Sequence, residues 1–281
     1  MWIGNEATAM RNMHFQAGRL AGRTVISVQG PEAGHFLHNI LTADVEHLAK
    51  GEASYAALLS PQGKILSDML VQRQDGGFLI DCAASQRDAL LKRLQMYRLR
   101  TKLDIAAAPD MSVGVSPHVI AGGFPDPRCP DIGWRTIGSH MGQEAEGYDA
   151  ARIAAGLADT DADLGSGEFF PHEANLDQLG GVSFRKGCYV GQEVVSRMEH
   201  RGTARSRILP VKLEADAPPK GTDIRAGEKQ VGTLLSSSGR RALALIRLDR
   251  LAEATAPLQA GGVPLQVLKP GWARYDVPGA A

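Results

Sequence analysis

ASYAALLSPQGKILSDMLVQRQDGGFLIDCA, residues 53–83, is the stretch whose reading decides the fold. Apolar runs of strand length are interrupted twice by turn chemistry. SPQG puts Pro61 second and Gly63 fourth in a reverse turn, and QDGG supplies a second reversal. Three consecutive antiparallel strands are expected. Upstream, GRTVISVQGPEAGHFLHNIL (22–41) predicts a short strand and then a helix with Pro31 in its first turn. Phe36, Leu37, Ile40 and Leu41 give that helix a buried face. Downstream, Ser85 followed three residues on by Asp88 predicts a capped helix carrying Leu90, Leu91, Leu94 and Tyr97, and YRLRTKLDI (97–105) predicts another strand. Helices alternating with a meander imply an α+β sheet covered on one face.

Residues 108–146 are rich in Gly and Pro and read as loops around one or two short strands. GYDAARIAAG resumes helical character and stops near Gly156. From Arg205 the pattern changes to short runs broken by Gly, Pro and Ser, which predicts a small all-β barrel or sandwich. The chain therefore divides into 1–204 and 205–281.

A chain of 281 residues with 31 basic and 31 acidic side chains has room for a full core and shows no basic excess of the kind a nucleic-acid binder carries. No apolar stretch approaches the ~18 residues that span a bilayer. MWIGNEATAMRNMHF, with Met10 and Met13 as further possible starts, lacks the pattern of an export signal. Cys82, Cys129 and Cys188 are odd in number and irregularly spaced, which argues against a disulfide framework, a zinc ribbon or a complete iron–sulfur ligand set, and sets a reducing cytoplasm as the expected location.

Chemistry concentrates at FRKGCYVGQE (184–193). Arg185 and Lys186 flank Cys188, QEVVSRM predicts a helix just beyond it with Val194, Val195 and Met198 inward and Glu193 paired with Arg197, and Gly187 and Gly191 permit sharp turns. Two readings stay open: a thiol favoured as thiolate, or a buried structural cysteine in a glycine-bounded turn. Arg98, Arg100 and Lys102 would share a strand face suited to an anion, or form a solvated edge. His35 and His38 share a helix face with no carboxylate or cysteine that must join them, and read as surface histidines rather than a metal site. Cys82 reads as core, Asp68 as either a buried carboxylate or a solvent-face residue, and Cys129 as unactivated. No P-loop, dinucleotide fingerprint or nucleophile elbow is present.

KGCYVGQE (186–193) resembles the signature of the YgfZ-type folate-binding proteins, relatives of the aminomethyltransferase (T-protein) of the glycine cleavage system. HFLHNILTADV, YAALLSPQGKILSDMLV, MYRLRTKLDI, ARIAAG, FFPHEANLDQLGGVSFRKGCYVGQEVVSRMEHRG and QVGTLLSSSGRRALALIRL are similar to the family's stretches and follow in its order. The resemblance implies a T-protein-like ring of two α+β units and a C-terminal β-barrel, with tetrahydrofolate or another reduced folate in the central opening. It implies an accessory role in assembly or repair of iron–sulfur clusters, with iron–sulfur enzymes or assembly proteins as partners; the composition read above adds the expectation of no membrane partner and argues against nucleic acid. Carried onto this chain, Cys188 is the functional thiol, and folate is met by Tyr148 on the pterin, by Arg98, Arg100 and Lys186 on the glutamate tail, and by Arg185, Gly187, Tyr189, Gly191, Gln192 and Glu193 of the motif. Two positions depart from the family. An aromatic of some relatives is Arg23 here, and the T-protein glutamate that bonds the pterin is Ala154, whose methyl cannot replace those hydrogen bonds. The alternative, a folate-dependent aminomethyltransferase or demethylase, would require Asp68 or Asp81 as its carboxylate.

Overall fold

A computed structural model describes residues 15–139, 142–202 and 204–280; the opening stretch read for an export signal and for alternative starts lies outside them. The chain opens with β1 (Gly18–Arg19) and β2 (Arg23–Gln29), then α1 (Ala33–Ile40). Pro31 stands two residues ahead of α1 in the turn that leads into it. The expected meander forms as β3 (Ala53–Leu59), β4 (Ile65–Gln74) and β5 (Gly77–Ala83). The first reversal closes with Gly63 N donating to Ser60 O at 2.8 Å, and Gly76 takes the second at φ +76°.

Helix α2 (Arg87–Arg98) follows a single 3-10 turn. Ser85 does not cap it; its hydroxyl donates instead to Asp161 at 2.5 Å. The segment expected as a strand from Tyr97 is divided. Tyr97 and Arg98 complete α2, Leu99 leaves it at φ +47°, and only Asp104–Ala107 extends as β6. Leu90 and Leu94 explain the difference: their spacing seats the helix on the sheet, and helix-favouring Arg, Gln and Met carry it to its end. The sheet is fully antiparallel in the order β3-β4-β5-β2-β6.

The expectation of one covered face is corrected. Ala56, Leu58, Met69, Val71, Phe78 and Ile80 pack under α1 and α2, while Tyr55, Ala57, Leu59 and Leu70 point into a second core. Strand alternation sends successive side chains to opposite faces, and here both faces are apolar. The second cover comes from the Gly/Pro-rich region, which is better ordered than its composition suggests. β7 (Ser112–Ser116), β8 (Phe124–Pro125) and β9 (Trp134–Gly138) join β1 in a sheet of order β1-β7-β9-β8.

Helix α3 (Tyr148–Ala154) ends at Gly156, φ +77°, where Trp272 and Pro210 crowd the backbone. A long connection leads to α4 (Gln192–Arg201), in which Glu193 meets Arg197 at 2.5 Å as expected. The C-terminal strands β10 (Ser206–Leu213), β11 (Asp223–Ala226), β12 (Lys229–Ser238), β13 (Arg241–Arg247), β14 (Leu258–Ala260) and β15 (Val263–Val267), with α5 (Leu248–Ala252) between β13 and β14, close into a barrel of order β10-β13-β12-β11-β14-β15. Arg207 ion-pairs with Asp177, and Asn175 receives the Tyr275 hydroxyl while donating to Ile208 O, so the barrel is bonded to the connection before α4.

The two sheets meet across buried charge. Arg135 of β9 donates to Asp81 of β5 at 2.7 Å, to Asp126 at 2.9 Å and to the Tyr148 hydroxyl at 2.8 Å. Arg128 grips Asp126 through Nε and Nη2 and also reaches Tyr148, and Arg23 of β2 donates to Asp81 at 2.6 Å. Burial opposes ionisation of Asp126, but Arg128 and Arg135 outweigh it and hold its carboxyl well below the usual range. Removing one member leaves the others charged and dry. Arg135→Leu is expected to lower the unfolding free energy in urea by about 3–5 kcal/mol, and Arg135→Lys to recover only part, because a compact ammonium cannot reproduce the planar guanidinium fork that reaches Asp81, Asp126 and Tyr148 from three separate nitrogens. Since the Asp126 pKa is depressed on folding, its contribution is complete above the unfolded value of about 4 and is lost as pH falls below it; wild-type stability should therefore drop below about pH 4.

Candidate functional site

The motif loop rests on the first turn of the meander. Gly191, at φ +81°, lies so close to it that a Cβ would stand 2.6 Å from Ser60 O and 3.0 Å from Gly63 Cα. Gly63, at φ +79°, would in turn bring a Cβ to 2.9 Å from Val194. Two glycines 128 residues apart are therefore both required where two backbones touch. Val195 anchors α4 beneath this contact, fully buried.

A second anchorage comes from Lys186. Its ammonium enters the turn after α1 and donates to the carbonyls of His38, Leu41 (2.5 Å) and Ala43 (3.1 Å), with the Tyr189 ring centroid 5.0 Å away. Burial draws its pKa down to about 8, against the opposing pull of Asp44. Thr42 adds two strands of support: its hydroxyl donates to Gly181 O at 2.5 Å, and its carbonyl accepts from Ser183 N. Tyr189 is packed in the core with its hydroxyl unpartnered, and burial pushes its pKa up to about 12.

Between these anchors Phe184, Arg185, Gly187 and Cys188 face solvent. Of the two readings left open for Cys188, the buried structural cysteine is excluded. Cys82 and Cys129 are buried, and burial raises both thiols, Cys82 to about 12. A single accessible thiol thus sits on a loop whose two ends are fixed.

Other expected residues are placed differently. Lys186 is spent on backbone carbonyls, so of the two cations beside Cys188 only Arg185 remains in solvent. Arg98 closes α2 and lies 3.9 Å from Asp104, while Arg100 and Lys102 are exposed in the turn after it; no shared strand face exists because no strand forms there. Tyr148 is buried, edge-on to Phe15, and its hydroxyl is taken by Arg128 and Arg135. Asp81 is bound by Arg23 and Arg135, and Asp68 accepts from Tyr55 at 3.0 Å and from Thr160. Gln192 is half-buried at the start of α4, and Glu193 is committed to Arg197.

These placements do not fit a reduced folate held by the residues assigned to it. The tail cations are dispersed, the aromatic is covered, Arg23 is directed to Asp81, and Ala154 offers no acceptor. Sequence reasoning missed Asp126, Arg128 and Arg135, which lie in the region read as loops; a charged residue inside the apolar run of β9 was the available signal.

Residues 5–122 match the GCVT N-terminal domain, and residues 205–275 match the CAF17 C-terminal beta-barrel domain. The crystal structure of glycine cleavage system aminomethyltransferase T from Bartonella henselae superposes with a TM-score of 0.74 over 98% of this chain and 90% of that one, at 14% identity, and shares the fold. The iron-sulfur cluster assembly factor IBA57, mitochondrial, of Homo sapiens is 31% identical over 83% of this chain and 78% of its own length. The chain belongs to the IBA57 family. A homologue in Pyricularia oryzae is likewise 31% identical, over 90% of this chain and 76% of its own. The T-protein-like half of the resemblance thus holds, with IBA57 as the family. Both relatives are named mitochondrial, which overturns the expected cytoplasmic location. Free thiols report reducing surroundings, not the compartment that provides them.

Two measurements check this site. Gly191→Ala in the IBA57-family chain should cost about 1–3 kcal/mol in urea unfolding, from strain at positive φ and the clash with Ser60. Alkylation of the native chain should modify one thiol rapidly, and peptide mapping should place it at Cys188, with Cys82 and Cys129 reacting only after denaturation.

Proposed function

We propose that this chain supports assembly or repair of iron–sulfur clusters in client proteins, with Cys188 as its working thiol. The observation that carries this reading is the exposed sulfur of Cys188 on a loop clamped at Lys186 and Gly191, in a chain related to iron-sulfur cluster assembly factors. A thiolate is a ligand for iron, and an exposed thiol on a fixed loop can be offered to a partner without prior rearrangement. One sulfur cannot hold a cluster, and Cys82 and Cys129 are buried, so the other ligands come from a partner iron–sulfur protein or a second copy. Phe184, 42% exposed beside Arg185, gives that partner an apolar contact next to the thiol.

The reading makes no use of folate. Nor does it use one-carbon transfer: Asp81 is neutralised by two guanidinium groups and Asp68 is tied to Tyr55 and Thr160, which leaves neither free as a base. The division at residue 205 enters only as a proposal that the barrel is a separate structural unit serving to brace the connection that ends in the motif.

The test is complementation in cells lacking the native gene. The wild-type chain should restore the activity of iron–sulfur enzymes, and Cys188→Ser at equal protein level should restore little or none. Equal rescue by the two would remove the thiol from the function. Titration of the purified chain with tetrahydrofolate is expected to leave its thermal midpoint unmoved, and a saturable rise would return folate to the account.

A further inference from the structure

The turn that receives Lys186 also gathers histidines and carboxylates from α1 and the ten residues after it. His38 Nδ1 lies 3.1 Å from Asp44 Oδ1, and His47 Nδ1 lies 3.0 Å from both Asp44 oxygens. Glu46 approaches from the same side, with Oε2 at 4.0 Å from His38 Nδ1 and Oε1 at 3.6 Å from His35 Nδ1. The donor atoms of His38, Asp44 and His47 all fall within 4.8 Å of one another. Bonds of about 2.0–2.1 Å to a tetrahedral ion place neighbouring ligands roughly 3.3 Å apart, so closure on an ion requires shifts of only about an ångström or less.

His38 corrects the reading of both α1 histidines as surface residues: it is buried, 9% exposed, while His35 is exposed. A buried ring whose Nδ1 points at a carboxylate is held in one orientation before any ion arrives. The backbone beneath it is fixed as well, since Lys186 donates to the carbonyls of His38, Leu41 and Ala43, and Thr42 donates through its amide to Ala57 O and accepts at its carbonyl from Ser183 N. His47 is the exposed member, its ring edge-on to that of His38 with centroids 6.2 Å apart. Asp44 and Glu46 supply two negative charges against a divalent ion. Lys186 feels the charge of Asp44, but its ammonium is turned to the carbonyls of His38, Leu41 and Ala43.

We propose that His38, Asp44 and His47, with Glu46 in reach, form a binding site for a divalent first-row transition ion. Two imidazoles and one carboxylate are borderline donors that suit Zn²⁺, Fe²⁺ and Co²⁺ and not Mg²⁺ or Ca²⁺, and three protein ligands leave at least one position for water or an incoming group. The site needs no thiol and stands whether or not Cys188 is the working residue. The ion ties α1 to the turn that anchors Lys186, two residues before Cys188, so its arrival stiffens the seat of the motif loop.

The experiment uses the full chain as Cys188→Ser, which removes the exposed thiol. Titrated with Co²⁺, it should take up one ion per chain with visible d–d absorption and no thiolate-to-cobalt charge-transfer band, and Zn²⁺ should displace the ion. His47→Ala in the same background changes only an exposed side chain; it should keep the circular dichroism of the parent and weaken Co²⁺ binding by at least about tenfold. Asp44→Asn should weaken it similarly. Absence of stoichiometric Co²⁺ binding by Cys188→Ser overturns the proposal. So does binding that His47→Ala and Asp44→Asn both leave unchanged, since the ion would then lie elsewhere.

Discussion

Arg135 joins groups from three parts of the chain: Asp81 in the meander, Asp126 beyond β8 and the Tyr148 hydroxyl on α3. A guanidinium buried between two sheets is tolerable only if every donor finds an acceptor and every carboxylate finds a cation. Arg23 and Arg128 complete that condition, so the sheets are fixed in one relative position by charges that have no other solution. The apolar cores on either side fill the volume around this junction, and hydrophobic burial alone would allow sliding between them. The same junction absorbs Tyr148, expected against a pterin, and Asp81, one of the two carboxylates weighed for one-carbon transfer.

Away from the junction, the meander's first turn serves as the platform for Cys188. Gly63 and Gly191 let two backbones meet, and Lys186 fastens the other end of the loop to the turn after α1. Both anchors lie within the segment of highest chemical density, and both are inward. Gly187 and Cys188, between them, are exposed. That arrangement separates rigidity from reactivity: the residues that hold the loop are different from the one that is offered to solvent. The histidines and carboxylates of the α1 turn sit on the far side of the Lys186 anchor, where a bound ion and the thiol loop would share one support.

Much of the fold could be read from local chemistry. The SPQG and QDGG turns, the leucines of α2, the glycine after α3 and the broken apolar runs beyond Arg205 each specify their own element, because turn geometry and periodicity act over a few residues. Legibility failed where a choice depended on distant contacts. The alternating pattern of Tyr97–Lys102 suits a strand, yet the burial of Leu90 and Leu94 drew Tyr97 and Arg98 into a helix and dispersed the expected cationic row. Residues 112–138 are too short in their apolar runs to declare strands by themselves and became a sheet because β1 and β7 met across the chain.

The sequence by itself determined the meander and its turns, the helix before it, the short strands beyond Arg205 and the motif in which one cysteine lies between two glycines, since all of these are written in spacings of ten residues or fewer. Tertiary structure alone decided that Lys186 faces inward and Cys188 outward, that Tyr148 and Asp81 are consumed by arginines, and that His38 and His47 share Asp44. Each of those outcomes depends on which side of an element meets another part of the chain, and a side chain's partner is set by packing between segments, which no local pattern encodes.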